Sequence, residues 1–212
     1  MKKVILATLV VFGLSINAFS QESITDDFIP SAGDASIEVN FLSPFVVGQP
    51  FTMDNLKGRY FLSNTMAVRL GLEFDLTSET DEGEDWESTD RVTDFGLYPG
   101  VEIHFPVSNR VSPYVGGEIG FFSRSTYYGE NDVEVKNEAG FSSFHINLVS
   151  GVDLYIYKGL YLGAELGYGF ERRSTKDAEY TIDNTTTEVE NNDVLYRVGD
   201  NINASFRLGW SF

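Results

Sequence analysis

The sequence predicts an all-β chain, an eight-stranded antiparallel up-and-down transmembrane β-barrel, on three observations. Beyond residue 20 the hydrophobic pattern has period two and no convincing helical period, as half-buried strands require. The connections alternate between tight turns and long polar loops, the layout of a barrel that crosses a membrane. The face opposite the apolar one collects glycine together with charge. Glycine weakens a solvent-facing sheet surface but suits a lumen where space is short.

The N-terminus begins with Lys2 and Lys3, continues as an apolar run from Val4 to Ile16, and ends in the small residues Ala18 and Ser20. That is the three-part layout of a secretory signal peptide, so residues 1–20 are expected to be removed. The run is too short to span a bilayer as a helix, and no later run reaches about 20 apolar residues. Residues 21–34 read as a polar lead-in and 35–212 as the barrel. Losing the two lysines takes the net charge from −17 to −19, which excludes nucleic acid as a partner through phosphate repulsion. The chain has no cysteine, so no disulfide holds it together.

The eight strands are expected at roughly 35–46, 54–63, 65–77, 91–105, 111–126, 140–157, 159–173 and 199–212. Strands two and three join tightly at Ser63-Asn64, four and five at "PVSN", six and seven at Lys158-Gly159. The long connections are the acidic "SETDEGEDWESTD", then "YYGENDVEVKNE", then "STKDAEYTIDNTTTEVENNDVLYRV". Strands one and two break the alternation, at Leu42 and at Phe61, which shares the parity of Lys57 and Arg59; a bulge or a shifted boundary would account for this.

In strand three one parity holds Met66, Val68, Leu70, Leu72, Phe74 and Leu76, and in strand six Phe144, Ile146, Leu148, Val152, Leu154 and Ile156. The opposite parity holds Glu38, Arg69, Glu73, Glu102, Glu118, Arg124, His145, Asp153, Glu165 and Arg207, interleaved with glycines. Lipid would solvate the first set, and a polar lumen would take the second. Outward aromatics gather at Phe74, Phe95, Phe121, Phe144, Tyr168 and Phe170 toward the long loops, and at Phe105, Trp210 and Phe212 toward the tight turns. Two aromatic girdles around an aliphatic band mark the two membrane interfaces.

With the leader, the eight alternating strands and the terminal "FRLGWSF", the chain resembles the small eight-stranded outer-membrane β-barrel families of Gram-negative bacteria. These include the transmembrane domain of outer-membrane protein A and the outer membrane protein beta-barrel domain family. The resemblance implies short periplasmic turns, long extracellular loops, and an integral place in the bacterial outer membrane beside lipid and lipopolysaccharide. Trp210 and Phe212 look like the terminal signal read by the outer-membrane assembly machinery, although Gly209 lies closer to the end than the glycine usual there. A monomer is expected.

Chemistry finds little to attach to. Lipid A deacylases of similar architecture use a His-Ser-Glu set on the lipid-facing side. Here His145 has luminal parity and Asn147, not serine, lies two residues on, so its expected role is a luminal hydrogen bond to a carboxylate. Histidine spacing does not suit zinc, and "DEGEDWESTD" lacks the glycine position of an EF-hand loop. No catalytic residue, cofactor or metal site is expected. The expected luminal polar network comprises Arg69, Glu73, Glu102, Glu118, His145, Asp153, Glu165 and Arg207. The leading functional expectation is a non-enzymatic barrel that presents acidic loops for envelope integrity or adhesion. The alternatives are a narrow channel or small hydrophobic-ligand carrier, and a lipid A-modifying enzyme.

Overall fold

The computed structural model describes residues 28–41, 53–83, 86–131, 133–199 and 205–212. The expected leader, the first half of the expected lead-in, the upper end of expected strand one and residues 200–204 of expected strand eight lie outside the described residues. Among the described residues there are twelve strands: β1 (Ala35–Phe41), β2 (Met53–Ser63), β3 (Met66–Glu82), β4 (Glu87–His104), β5 (Val111–Glu130), β6 (Val133–Lys136), β7 (Phe141–Tyr157), β8 (Leu160–Thr175), β9 (Ala178–Ile182), β10 (Thr185–Val189), β11 (Val194–Gly199) and β12 (Ser205–Ser211).

Eight of these close a ring, β1-β2-β3-β4-β5-β7-β8-β12, in which every neighbouring pair is antiparallel. Closure joins the two ends of the chain, from Ser36 opposite Ser211 to Phe41 opposite Phe206. The backbone amides of Ala35 and Phe212 each donate to the other's carbonyl at 2.8 Å. A closed ring leaves no sheet edge inside the membrane, which is the condition for crossing it with strands.

The side chains sort as an inside-out barrel. Leu70, Leu72, Val101, Ile119, Leu154 and Leu166 are exposed, and Leu148 is 68% exposed. Glu38, Lys57, Arg59, Arg69, Glu102, Asp153 and Arg207 are buried. Phe61 is also buried, its ring 5.3 Å from that of His104. Its shared parity with Lys57 and Arg59 is therefore correct alternation, with an inward aromatic. The register shifts once in β1, between Val39 and Phe41, and once in β2, between Phe61 and Ser63.

The long connections are more regular than the sequence suggests. The acidic stretch between strands three and four is expected as a loop over 78–90. Instead β3 and β4 run on in unbroken register to Glu82 opposite Glu87. Backbone pairing carries the hairpin upward, with Thr80 and Thr89 hydroxyls 3.3 Å apart and the Gly83 amide donating to the Trp86 carbonyl at 2.7 Å. Beyond the ring, β5, β6, β9 and β10 form a small antiparallel sheet. β11 pairs with β8 above the stretch of β8 that β12 occupies. Together these strands make a β-structured crown at the long-connection end.

Candidate functional site: the sealed lumen

The lower lumen, at the tight-turn end, is filled by ion pairs between strands on opposite sides of the ring. Arg207 from β12 donates to Asp153 Oδ1 at 2.6 Å and to Glu38 Oε1 at 3.1 Å. Arg59 from β2 donates to Asp153 Oδ2 at 2.6 Å. Its Nε and Nη2 also lie 3.1 Å from Glu102 and Glu38, outside hydrogen-bond angles. Arg69 from β3 donates to Glu102 and Glu165, both at 2.7 Å, and sits 3.0 Å from Glu118. Lys57 donates to Glu165 at 3.0 Å. Four bases thus face Glu38, Glu102, Asp153 and Glu165, with Glu118 on the upper rim.

Tyrosines complete the packing. Tyr114 donates to Glu165 Oε2 at 2.5 Å and Tyr161 to Glu38 Oε2 at 2.7 Å. The Arg59 and Arg207 guanidinium carbons lie 5.1 and 5.0 Å from the centre of the Tyr114 ring. Charges removed from water on this scale persist only when paired and hydrogen-bonded, and here each carboxylate has at least one cation. Glycine makes the room. A Cβ at Gly163 would lie 2.7 Å from both Arg207 Nη2 and Asp153 Oδ1, and Cβ atoms at Gly96 and Gly120 would each lie 2.7 Å from the Tyr98 ring.

Of the residues the sequence points to, Arg69, Glu102, Glu118, Asp153, Glu165 and Arg207 come together in this cluster. Glu73 and His145 lie higher. Glu73 accepts from the Tyr98 hydroxyl at 3.0 Å. His145 Nε2 pairs with the Ser143 hydroxyl at 2.8 Å, a serine where a carboxylate is expected. His145 points into the lumen from β7 opposite Glu171 of β8. Glu171 itself is taken by Arg173 at 2.9 Å and Arg197 at 3.4 Å. Trp210 and Phe212 face outward and are exposed. Sequence reasoning leaves Lys57, Tyr98 and Tyr114 out of the network. Their parity, shared with Arg59, Gly96 and Gly116, is the signal that places them in the lumen.

One constellation has the connectivity of a nucleophilic triad. His104 joins the Ser112 hydroxyl through Nδ1 and Glu102 through Nε2, both at 3.1 Å. Its geometry is closed to substrate: Ser112 is 0% exposed, and Glu102 is already held by Arg59 and Arg69. The His104 ring stacks on Tyr114 at 5.2 Å. A nucleophile needs an approach for the scissile group and donors for the developing charge. Packing fills that space here, so the triad reads as luminal hydrogen bonding.

A closed, inside-out eight-stranded ring with a polar, ion-paired lumen defines an integral β-barrel of the bacterial outer membrane. The chain belongs to the outer membrane protein beta-barrel domain family, whose model matches residues 6–212. Solved structures similar to it include Ail, the attachment invasion locus protein of Yersinia pestis, 13% identical, covering 85% of this chain and 99% of that one, with a TM-score of 0.37. OprG of Pseudomonas aeruginosa is 11% identical over 87% of this chain and 98% of its own, at 0.47. AlkL, solved in lipid bilayers, is 14% identical over 92% and 95%, at 0.45. No curated protein matches the chain.

Proposed function

We propose that the protein is a closed, non-enzymatic anchor that holds an acidic β-structured crown at the cell surface, serving envelope integrity or adhesion. The observation that carries this reading is the buried ion cluster across the lower lumen. Four basic side chains and their carboxylates occupy the cross-section through which a solute would have to pass. An eight-stranded barrel has an interior just wide enough for such side chains. A narrow channel would need that cluster to part, and a lipid A-modifying enzyme would need an accessible nucleophile. Trp210 and Phe212, outward at the closing strand, suit recognition by the assembly machinery, and the ring closes within one chain, which suits a monomer.

The test separates barrel from crown. A variant in which 78–91 and 178–189 are each replaced by a two-residue Asn-Gly turn keeps every strand pair of the lower ring. Cells carrying it should lose the surface adhesion or detergent resistance that the full chain confers on a deletion strain. Full restoration by the crownless barrel would refute the anchor reading. So would large, stable conductance of the intact protein in planar bilayers.

A further inference from the structure

The wall formed by β5, β7 and β8 carries an outward patch unlike the rest of the lipid-facing surface. One register row runs from Phe74 and Phe95 on β3 and β4 to Ser123, Ser142 and Ser174 on β5, β7 and β8. The aromatic girdle is thus continued by three hydroxyls in register. The row beneath holds Phe121, Phe144, Arg172 and Tyr196. Just above, Lys176 donates to Ser123 Oγ at 2.9 Å and Ser125 Oγ at 2.8 Å. Partial burial holds its pKa below the ordinary lysine value. Two cations therefore flank the serine row at the depth where girdle aromatics mark the headgroup level.

Both cations lie on one wall of an acidic chain. Acidic residues outnumber basic ones by 32 to 15, and Lys57, Arg59, Arg69, Arg124, Arg173, Arg197 and Arg207 all have carboxylate partners. Among the described residues Arg172 and Lys176 reach no carboxylate; Arg91, Arg110 and Lys158 share that, but each of those lies against an aromatic ring, whereas Lys176 is held by hydroxyls alone. Below them, on the same wall, a concavity of about 670 Å³ opens outward between Val101, Gly117, Leu148, Ser150, Leu166 and Tyr168. Its floor is the small pair Gly117 and Ser150. From Ser142 to Leu148 and Ser150 is six to eight residues along β7. At about 3.3 Å per residue and a tilt near 40°, that is roughly 15–20 Å along the membrane normal. One leaflet's hydrocarbon is about 15 Å deep, so the groove lies where an outer-leaflet chain ends.

We propose that this wall is a binding site for an outer-leaflet lipid with a phosphorylated headgroup. Arg172, Lys176 and the serine row hold the phosphate, and an acyl chain seats in the groove over Gly117. Charge complementarity and the spacing between patch and groove select this occupant. Phosphate neutralises the two unpaired cations, and its oxygens accept from serine hydroxyls that Lys176 now holds. The acidic crown above repels anions, so the site would draw on lipid already confined to the leaflet.

Native mass spectrometry of the mature protein in detergent tests this, with diphosphoryl lipid A, the same lipid chemically dephosphorylated, and inorganic phosphate as probes. Each surface cation near an anionic lipid is worth roughly fivefold, so Arg172→Gln with Lys176→Gln should weaken diphosphoryl lipid A binding about thirtyfold. Binding of the dephosphorylated lipid should not change in that double variant. Gly117→Leu should weaken both lipids, since a Cβ there meets only the Asn147 carbonyl oxygen at 3.7 Å and the added side chain fills the groove without strain. Arg91→Gln, an outward arginine set against Tyr127, should change nothing. Heat-modifiability on gels confirms that each variant is folded. Equal diphosphoryl binding by wild type and the double variant would overturn the proposal. So would equal affinity for both lipids, or displacement by inorganic phosphate, which would assign the patch to a soluble anion.

Discussion

The lower and upper halves of the lumen use the same residue types in opposite ways. Below, Arg207 has a fully buried side chain that touches three carboxylates on three other strands. Above, Arg124 pairs with a single carboxylate, Asp94 of the adjacent strand, at 2.7 and 2.5 Å, with its side chain 40% exposed. Phe141 bridges the upper pairs, with Arg173 4.1 Å and Arg124 5.5 Å from its ring centre. The lower half is a buried crosslink between opposite walls, and the upper half is a set of local pairs along the wall. Charge in a barrel lumen therefore closes the pore only where it reaches across.

The largest expected effect follows from that contrast. Arg207→Met leaves Glu38 and Asp153 buried with less compensation and should cost about 3–5 kcal/mol. Arg124→Met removes a half-exposed cation from one buried carboxylate, Asp94, and should cost less, about 1–2 kcal/mol. Urea unfolding in lipid vesicles measures both, and equal costs would erase the distinction between the two halves. A middle-sized effect tests the wall between lumen and lipid. Leu148→Arg places a cation on the lipid face near the midplane and should cost about 2–4 kcal/mol. Asn147→Arg, one residue away, points into the lumen where Asn147 now donates to Glu118 at 3.1 Å. It should cost less in the same assay, and the reverse order would invert the assignment of faces.

The ring was legible because lipid and lumen impose a strict period of two on strands that cross a fixed thickness. Leu148 and Asn147 are sorted by that rule alone. The partners inside the lumen were not legible. Arg207 lies opposite Gly163 in the strand register yet bonds to Asp153 and Glu38, because a long side chain in a narrow barrel reaches past its neighbour. His145 finds Ser143 on its own strand, an i to i−2 contact that parity permits but does not select. The crown was missed for a different reason. Above the membrane no apolar face is needed, so residues 78–90 lose the alternation while the backbone ladder continues.

That ladder supplies the smallest effect and the finest test of the comparison. At the tip of the β3–β4 hairpin, Glu79 lies directly opposite Asp90, and Glu82 opposite Glu87. Like charges opposed across an antiparallel pair destabilise it. Further down, Asp75 opposes Asp94, but Arg124 neutralises Asp94 there. Among the described residues the tip has no such cation, so the backbone hydrogen bonds hold it against its own charge. Asp90→Asn removes one opposed pair and should stabilise the tip by about 0.2–1 kcal/mol. Amide exchange of residues near Thr80 and Thr89 should slow accordingly, while exchange in the lower ring should not change. Calcium should act in the same direction without a dedicated cage, shifting Trp86 fluorescence only at roughly millimolar concentration. Unchanged exchange in Asp90→Asn would show that the crown's charge is fully solvated and that its hairpin is set by the backbone alone.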